Sequence, residues 1–157
     1  MRAAVAAAAL VLSASAQAAP FNPVEFFRGR THGEGMLKII FQSAKKMTVD
    51  SEGRAEKDGT LVLEQLVREP GKPPRTRFWR MRHTGPNQYE GTLTDAAGPV
   101  RVEVKGERIR IRYRGNDHLD FDQLLTPAGP KQVNNQMRVK RFGIIVARYE
   151  EIIRKLD

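Results

Sequence analysis

The stretch VRVEVKGERIRIRYRG, residues 100–115, constrains the fold more tightly than any other part of the chain. Val100, Val102 and Val104 fall on one phase, Arg101, Glu103 and Lys105 on the other, and Ile109, Ile111 and Tyr113 then resume the apolar phase. A period of two sustained over this length belongs to half-buried strands and excludes a helix. Taking Lys105-Gly106 as a two-residue loop pairs Val102 with Ile109 and Val100 with Ile111. The core faces then agree across the hairpin.

The next turn follows from the same test. A two-residue loop at Gly115-Asn116 sets Ile111 opposite Asp120, an apolar side chain against an acid. A three-residue loop, Gly115 to Asp117, pairs Tyr113 with Leu119 and Ile111 with Phe121, and on the outer face Arg112 with Asp120 and Arg110 with Asp122. The second register is therefore expected.

Elsewhere, turn signals recur at short intervals: Ser51-Glu52-Gly53, Lys57-Asp58-Gly59, PGKPP at 70–74, Thr84-Gly85-Pro86-Asn87, Ala97-Gly98-Pro99 and TPAGP at 126–130. Short strands between such turns predict an all-β sandwich or barrel. The last segment, FGIIVARYEEIIRKLD, fits two readings. Ile145, Tyr149, Ile152, Ile153 and Leu156 make a helical stripe, and Phe142 to Tyr149 equally make a strand buried on both faces.

The first residues read MRAAVAAAALVLSASAQAAP. Arg2, the apolar run 3–12 and the small-x-small site Ala16-Gln17-Ala18 have the layout of a secretory signal peptide, with cleavage near Ala18. The run is too short to span a bilayer, and no later stretch approaches the roughly 20 apolar residues a spanning helix needs. The expected location is therefore periplasmic or secreted, with no transmembrane segment in the mature chain. With no cysteine in 157 residues, the domain has no disulfides and no lipid-modified cysteine, so it must be held by its own core. The expected division is 1–18 signal peptide, 19–32 lead-in segment and 33–157 a single barrel domain. A net charge of +9 would suggest nucleic acid inside a cell. An exported chain instead meets anionic lipid headgroups and wall polymers.

Four groups of residues invite a chemical reading. Gly29, Gly33 and Gly35 match neither the phosphate-loop nor the dinucleotide spacing, and MLKIIFQ after them reads as strand. Tight turning into the first strand explains them. His118, Asp120 and Asp122 share one strand face, but Arg110 and Arg112 opposite the two acids make a surface ion-pair ladder a better reading than a metal site. In RTRFWRMRH, 75–83, the single tryptophan, Trp79, carries its face inward and brings Arg77 with it. An inward arginine either stacks on Trp79 or meets the head of an anionic ligand. Nothing supports hydrolysis: Ser43 and Ser51 lack the nucleophile-elbow context, and three scattered histidines suggest no zinc. No catalytic constellation and no cofactor motif is found.

Several motifs in fixed order carry a resemblance. They are Phe26-Phe27-x-Gly29-x-x-x-Gly33-x-Gly35, Thr60-Leu61-x-Leu63-Glu64, Arg77-x-Trp79 and Tyr89-Glu90-Gly91, then Asp120-x-Asp122, Asn134-Asn135 and Lys140-Arg141-Phe142-Gly143. The chain resembles DUF3833, a family of exported bacterial proteins, many of them lipoproteins, with a lipocalin-like (calycin) barrel. The resemblance implies a meandering antiparallel barrel whose segment from Phe142 onward is a closing strand, and it implies no activity. Gln123 stands where an aromatic is usual after the paired acids.

The resulting expectation is an all-β antiparallel meander barrel of about 8–10 strands, with an interior just large enough for side chains or one small ligand. The leading role is binding or carrying a small apolar or amphipathic ligand, with an anionic head among the options. Leu61, Leu63, Trp79, Met81, Val102, Ile111, Tyr113 and Phe121 would line the lumen, and Arg77 would meet the head. The alternative is a filled barrel whose outward row, Arg108, Arg110, Arg112 and Arg114, makes weak contact with an anionic envelope surface. A barrel enzyme acting on a lumenal substrate is a weaker third.

Overall fold

The computed structural model describes residues 20–157; the signal-peptide reading of residues 1–18 lies outside them. The strands are β1 (Gly29–Ile39), β2 (Lys45–Ala55), β3 (Leu61–Arg68), β4 (Arg75–Gly85) and β5 (Gln88–Leu93), then β6 (Val100–Lys105), β7 (Arg108–Arg114), β8 (Leu119–Pro127), β9 (Gln132–Arg141) and β10 (Ile144–Lys155). Each pairs antiparallel with its neighbours in sequence, and β1 pairs with β10, so the sheet is a closed barrel. Closure removes the free edges that would otherwise template aggregation.

The ambiguous terminal segment is thus the closing strand. Its inward phase carries Ala147, Tyr149, Glu151 and Ile153, all buried. The expected faces of β6 and β7 are also found: Val100 and Ile109 are fully buried and Tyr113 is buried beside them.

The registers differ from those expected. Val102 pairs with Ile111 and Val104 with Ile109. The loop is therefore Gly106-Glu107, with Gly106 at φ +61° supplying the positive φ that such a loop requires. Likewise Tyr113 pairs with Phe121, Ile111 with Gln123, Arg112 with Asp122 and Arg114 with Asp120. The Gly115 N–H bonds the Leu119 carbonyl at 2.8 Å, and the turn between them places Asp117 and His118 at positive φ. Both corrections are slips of two residues, which leave every side chain on its expected face.

The first strand starts at Gly29, earlier than the expected boundary at residue 33. Gly33 and Gly35 therefore lie within β1 rather than in a turn before it. Ahead of β1 a short helix, α1 (Pro23–Phe27), is capped by Asn22, whose side chain accepts the Val24 and Glu25 N–H groups at 3.0 and 3.3 Å. Pro23 at the first helical position lacks only an N–H that would have no partner there. Phe26 packs into the core, and Lys155 Nζ donates to the carbonyls of Phe26 at 3.1 Å and of Arg28. The helix thereby closes the barrel end where β1 begins and β10 finishes. Among the described residues no helix is long and apolar enough to cross a membrane.

Candidate functional site

The barrel encloses a cavity of about 320 Å³. At one end Pro23, Val24 and Phe27 of α1 line it; at the other it reaches Leu37, Ile39, Glu69, Arg75, Asp95 and Leu119. All nine residues expected to face the lumen lie on its wall: Leu61, Leu63, Arg77, Trp79, Met81, Val102, Ile111, Tyr113 and Phe121. Trp79 meets Tyr113 edge to face, with centroids 6.0 Å apart, and Tyr113 stacks on Phe121 at 4.6 Å. The three rings form one rigid aromatic wall.

Arg77 is largely enclosed, its side chain 17 % exposed. No stacking on Trp79 is found. Instead Gln65 Oε1 accepts from both Arg77 Nη2, at 2.8 Å, and Trp79 Nε1, at 2.6 Å, and Gln65 Nε2 donates to Ser51 Oγ at 3.1 Å. The register accounts for the chain of contacts, since Ser51, Gln65 and Arg77 are cross-strand partners on β2, β3 and β4. Asp95 lies 3.9 Å from Arg77 Nη1 and is more closely held by Arg75 at 2.5 Å. Burial lowers the Arg77 pKa and pushes the Tyr113 hydroxyl up to about 12.

Facing this group is a second polar cluster that residue patterns alone did not single out. Glu151 on β10 is buried and accepts from Asn135 Nδ2 at 2.9 Å. Burial raises its pKa, an effect partly offset by Asn135 and by the Tyr149 hydroxyl. Tyr149 is pushed well up, by burial and then by Glu151. Arg77 Nε and Asn135 Oδ1 are buried without a hydrogen-bond partner, the Tyr149 hydroxyl is turned to the Glu151 carboxylate alone, and all three residues line the cavity. One signal was available: on the strand reading, Glu151 shares the phase of Ala147, Tyr149 and Ile153, which places an acid on the apolar face.

The remaining candidates sit outside the barrel. Arg108, Arg110, Arg112 and Arg114 form an exposed row on β7. Arg110 pairs with Asp122 at 2.8 Å, Arg112 with Glu103 at 2.7 Å and Arg114 with Asp120 at 3.2 Å. The expected Arg112–Asp120 pair is replaced by these. The His118 ring lies 5.3 Å from that of Phe142, away from a shared site with the two acids. Among the described residues no group of three histidine, cysteine or acidic side chains is placed to hold a metal.

The family model described as "Protein of unknown function (DUF3833)" matches residues 4–155. The chain belongs to this family. No curated protein matches. Two solved structures share the DUF3833 chain's fold. The S-type phycobiliprotein lyase CPES from Guillardia theta superposes with a TM-score of 0.68 at 6% identity, over 85% of this chain and 90% of that one. A protein of unknown function from the DUF3598 family of Nostoc punctiforme superposes with a TM-score of 0.69 at 10% identity. That match covers 93% of this chain and 54% of the other. At such identities the likeness is one of fold, a lipocalin-like barrel.

Proposed function

We propose that this DUF3833 chain is an exported barrel that binds a small amphipathic molecule with an acidic head. The tail lies along Trp79, Met81, Ile111 and Phe121, and the head is met by Arg77. One observation carries the reading: an apolar cavity of about 320 Å³ has Arg77 and Asn135 on its wall, and the buried Nε of the one and Oδ1 of the other have no hydrogen-bond partner within the protein. A buried donor or acceptor without a partner costs about 1–3 kcal/mol, so a ligand that satisfies them gains that much over an apolar one. The size is at the small end of the range for ligand pockets, about 300–1,000 Å³. The rival reading of a basic row on β7 loses support, because three of its four arginines are already neutralised by acids.

Trp79, the single tryptophan, reports on the test. Titration with dodecanoate should change its emission, and dodecanol should bind more weakly. Arg77→Met should weaken dodecanoate by about ten- to a hundredfold, the worth of a charge-assisted bond, with little effect on dodecanol. Native mass spectrometry of protein taken from its own periplasm should show an adduct. Apo protein alone, together with no response to either probe, would overturn the proposal.

A further inference from the structure

The end of the barrel opposite α1 carries apolar side chains where a solvated rim would carry polar ones. Phe41, in the β1–β2 loop, is fully exposed; Phe142, in the β9–β10 loop, is 72 % exposed. Ile40 and Ile144 beside them are exposed too. The two loops are neighbours, because β1 pairs with β10 and the Ile40 N–H donates to the Val146 carbonyl at 3.0 Å. Both phenylalanines sit in the left-handed region, at φ 61° and 50°. For a bulky side chain this is an outlier that asparagine or glycine would occupy more cheaply. Neither burial nor backbone preference therefore explains a phenylalanine at either tip; Phe142 meets only the exposed His118 ring, 5.3 Å away, and the Arg141 guanidinium, 5.6 Å from its centroid.

Directly behind the tips runs a belt of like charge. Lys38 on β1 is the cross-strand partner of Arg148 on β10, which is the partner of Arg138 on β9. Like charges opposite one another destabilise a sheet; Arg138 and Lys140 also face Asp122 and Asp120 across to β8, but among the described residues Lys38, Arg148 and Arg138 make no direct ion pair with an acid. Lys140 and Arg141 continue the charge to the foot of Phe142. Lys38 lies three residues from Phe41, which is at most about 10 Å at the rise of a strand.

We propose that this mouth docks on the headgroup face of an anionic lipid bilayer. Phe41, Phe142, Ile40 and Ile144 enter the boundary between headgroups and acyl chains, and Lys38, Arg138 and Arg148 meet lipid phosphates. Apolar groups dipping about 5–10 Å below a cationic layer is the arrangement by which interfacial segments hold a membrane, and each cation near an anionic surface adds to the attraction. Repulsion within the Lys38–Arg148–Arg138 row is then relieved on docking. The proposal does not depend on what fills the lumen, although it would set the cavity mouth against a store of amphipathic molecules.

The test is co-sedimentation with vesicles of equal parts phosphatidylglycerol and phosphatidylcholine, against phosphatidylcholine alone. The expected result is binding to the mixed vesicles that weakens with salt and is about tenfold or more poorer without phosphatidylglycerol. Phe41→Asn with Phe142→Asn should cut binding by about tenfold or more, with the melting temperature held or raised, since asparagine suits the left-handed region. Lys38→Glu with Arg148→Glu should act likewise, and Arg110→Ala with Arg112→Ala on β7 should change nothing. In the asparagine variant the Trp79 response to dodecanoate should persist, which keeps this proposal separate from the carrier reading. Four results would overturn it: no wild-type binding to mixed vesicles, tip variants that bind like wild type, binding lost through the β7 row, or tip variants that lose stability together with binding.

Discussion

The carboxylate of Glu151 occupies the space that a side chain at Gly33 would take: a Cβ there would lie 2.1 Å from Glu151 Oε1. Gly35 plays the same part for Tyr149, whose ring would be 2.6 Å from an added Cβ. The glycines of β1 therefore let the polar side chains of the closing strand lie flat against the wall. In a strand, glycine marks such a close approach.

Burial raises the Glu151 pKa above its ordinary value of 4.5. Folding then favours the protonated acid, so the contribution of Glu151 to stability is full below that value and is lost as pH rises through its folded-state value. Glu151→Gln removes this titration and keeps the size and the Asn135 contact. Melting temperatures measured from about pH 5 to about pH 8 should show wild type falling relative to the variant. Parallel profiles would mean that Glu151 is already solvated.

Alanine at the two β1 glycines should separate a flexible obstacle from a rigid one. At Gly33 the added methyl meets the movable end of Glu151, while at Gly35 it meets the Glu150 carbonyl oxygen, also at 2.6 Å, as well as the Tyr149 ring. Overpacking against fixed atoms costs about 1–3 kcal/mol. Urea unfolding should place Gly35→Ala in that range and Gly33→Ala below it, with the Glu151 carboxylate displaced into the cavity and dodecanoate binding weakened. Equal losses at the two sites would contradict this.

A third glycine holds the plug. A Cβ on Gly53 would sit 1.8 Å from the Phe27 carbonyl oxygen, so α1 packs on bare backbone of β2. Gly53→Ala should lift α1 and leave the barrel closed. Hydrogen exchange should then quicken at the Phe26 and Arg28 amides, which bond to the carbonyls of Asn22 and Val24 at 3.1 and 3.0 Å. Exchange in β9 and β10 should stay slow. Uniform quickening would show that α1 and the barrel unfold as one unit.

These glycines also show what the chain discloses before it is folded. The phase of each strand is legible, because alternation assigns each side chain to a face whatever its partner; Arg77, Trp79 and Met81 follow from phase alone. Register is not legible in the same way. A slip of two residues preserves all faces, and Gly106 lies in the loop either way, so only the pairing of Val104 with Ile109 separates a loop at Lys105-Gly106 from one at Gly106-Glu107. The role of Gly33 and Gly35 is hidden for a further reason. It depends on Tyr149 and Glu151, more than a hundred residues away in sequence, which become neighbours only when β10 closes on β1. The five residues of α1 are too few to set up any periodicity.

The corrected register of β7 and β8 makes a prediction of its own. Arg110 reaches diagonally to Asp122, with Nε and Nη2 donating to its two carboxylate oxygens at 2.9 and 2.8 Å. Arg112 turns away from Asp120 to Glu103. A double-mutant cycle on Arg110 and Asp122 should give a favourable coupling, below about 1 kcal/mol because the arginine is exposed to solvent. The Arg112–Asp120 cycle, which the slipped register would require, should give none. The Arg110 hydrogen bond holds the Asp122 carboxyl below the ordinary aspartate value of 3.8. The coupling is therefore complete above that value, disappears as pH falls through the folded-state value, and weakens with salt. Coupling in the second cycle as well as the first would move the β7–β8 hairpin back by two residues and take Gln123 from its place opposite Ile111 on the lumen wall.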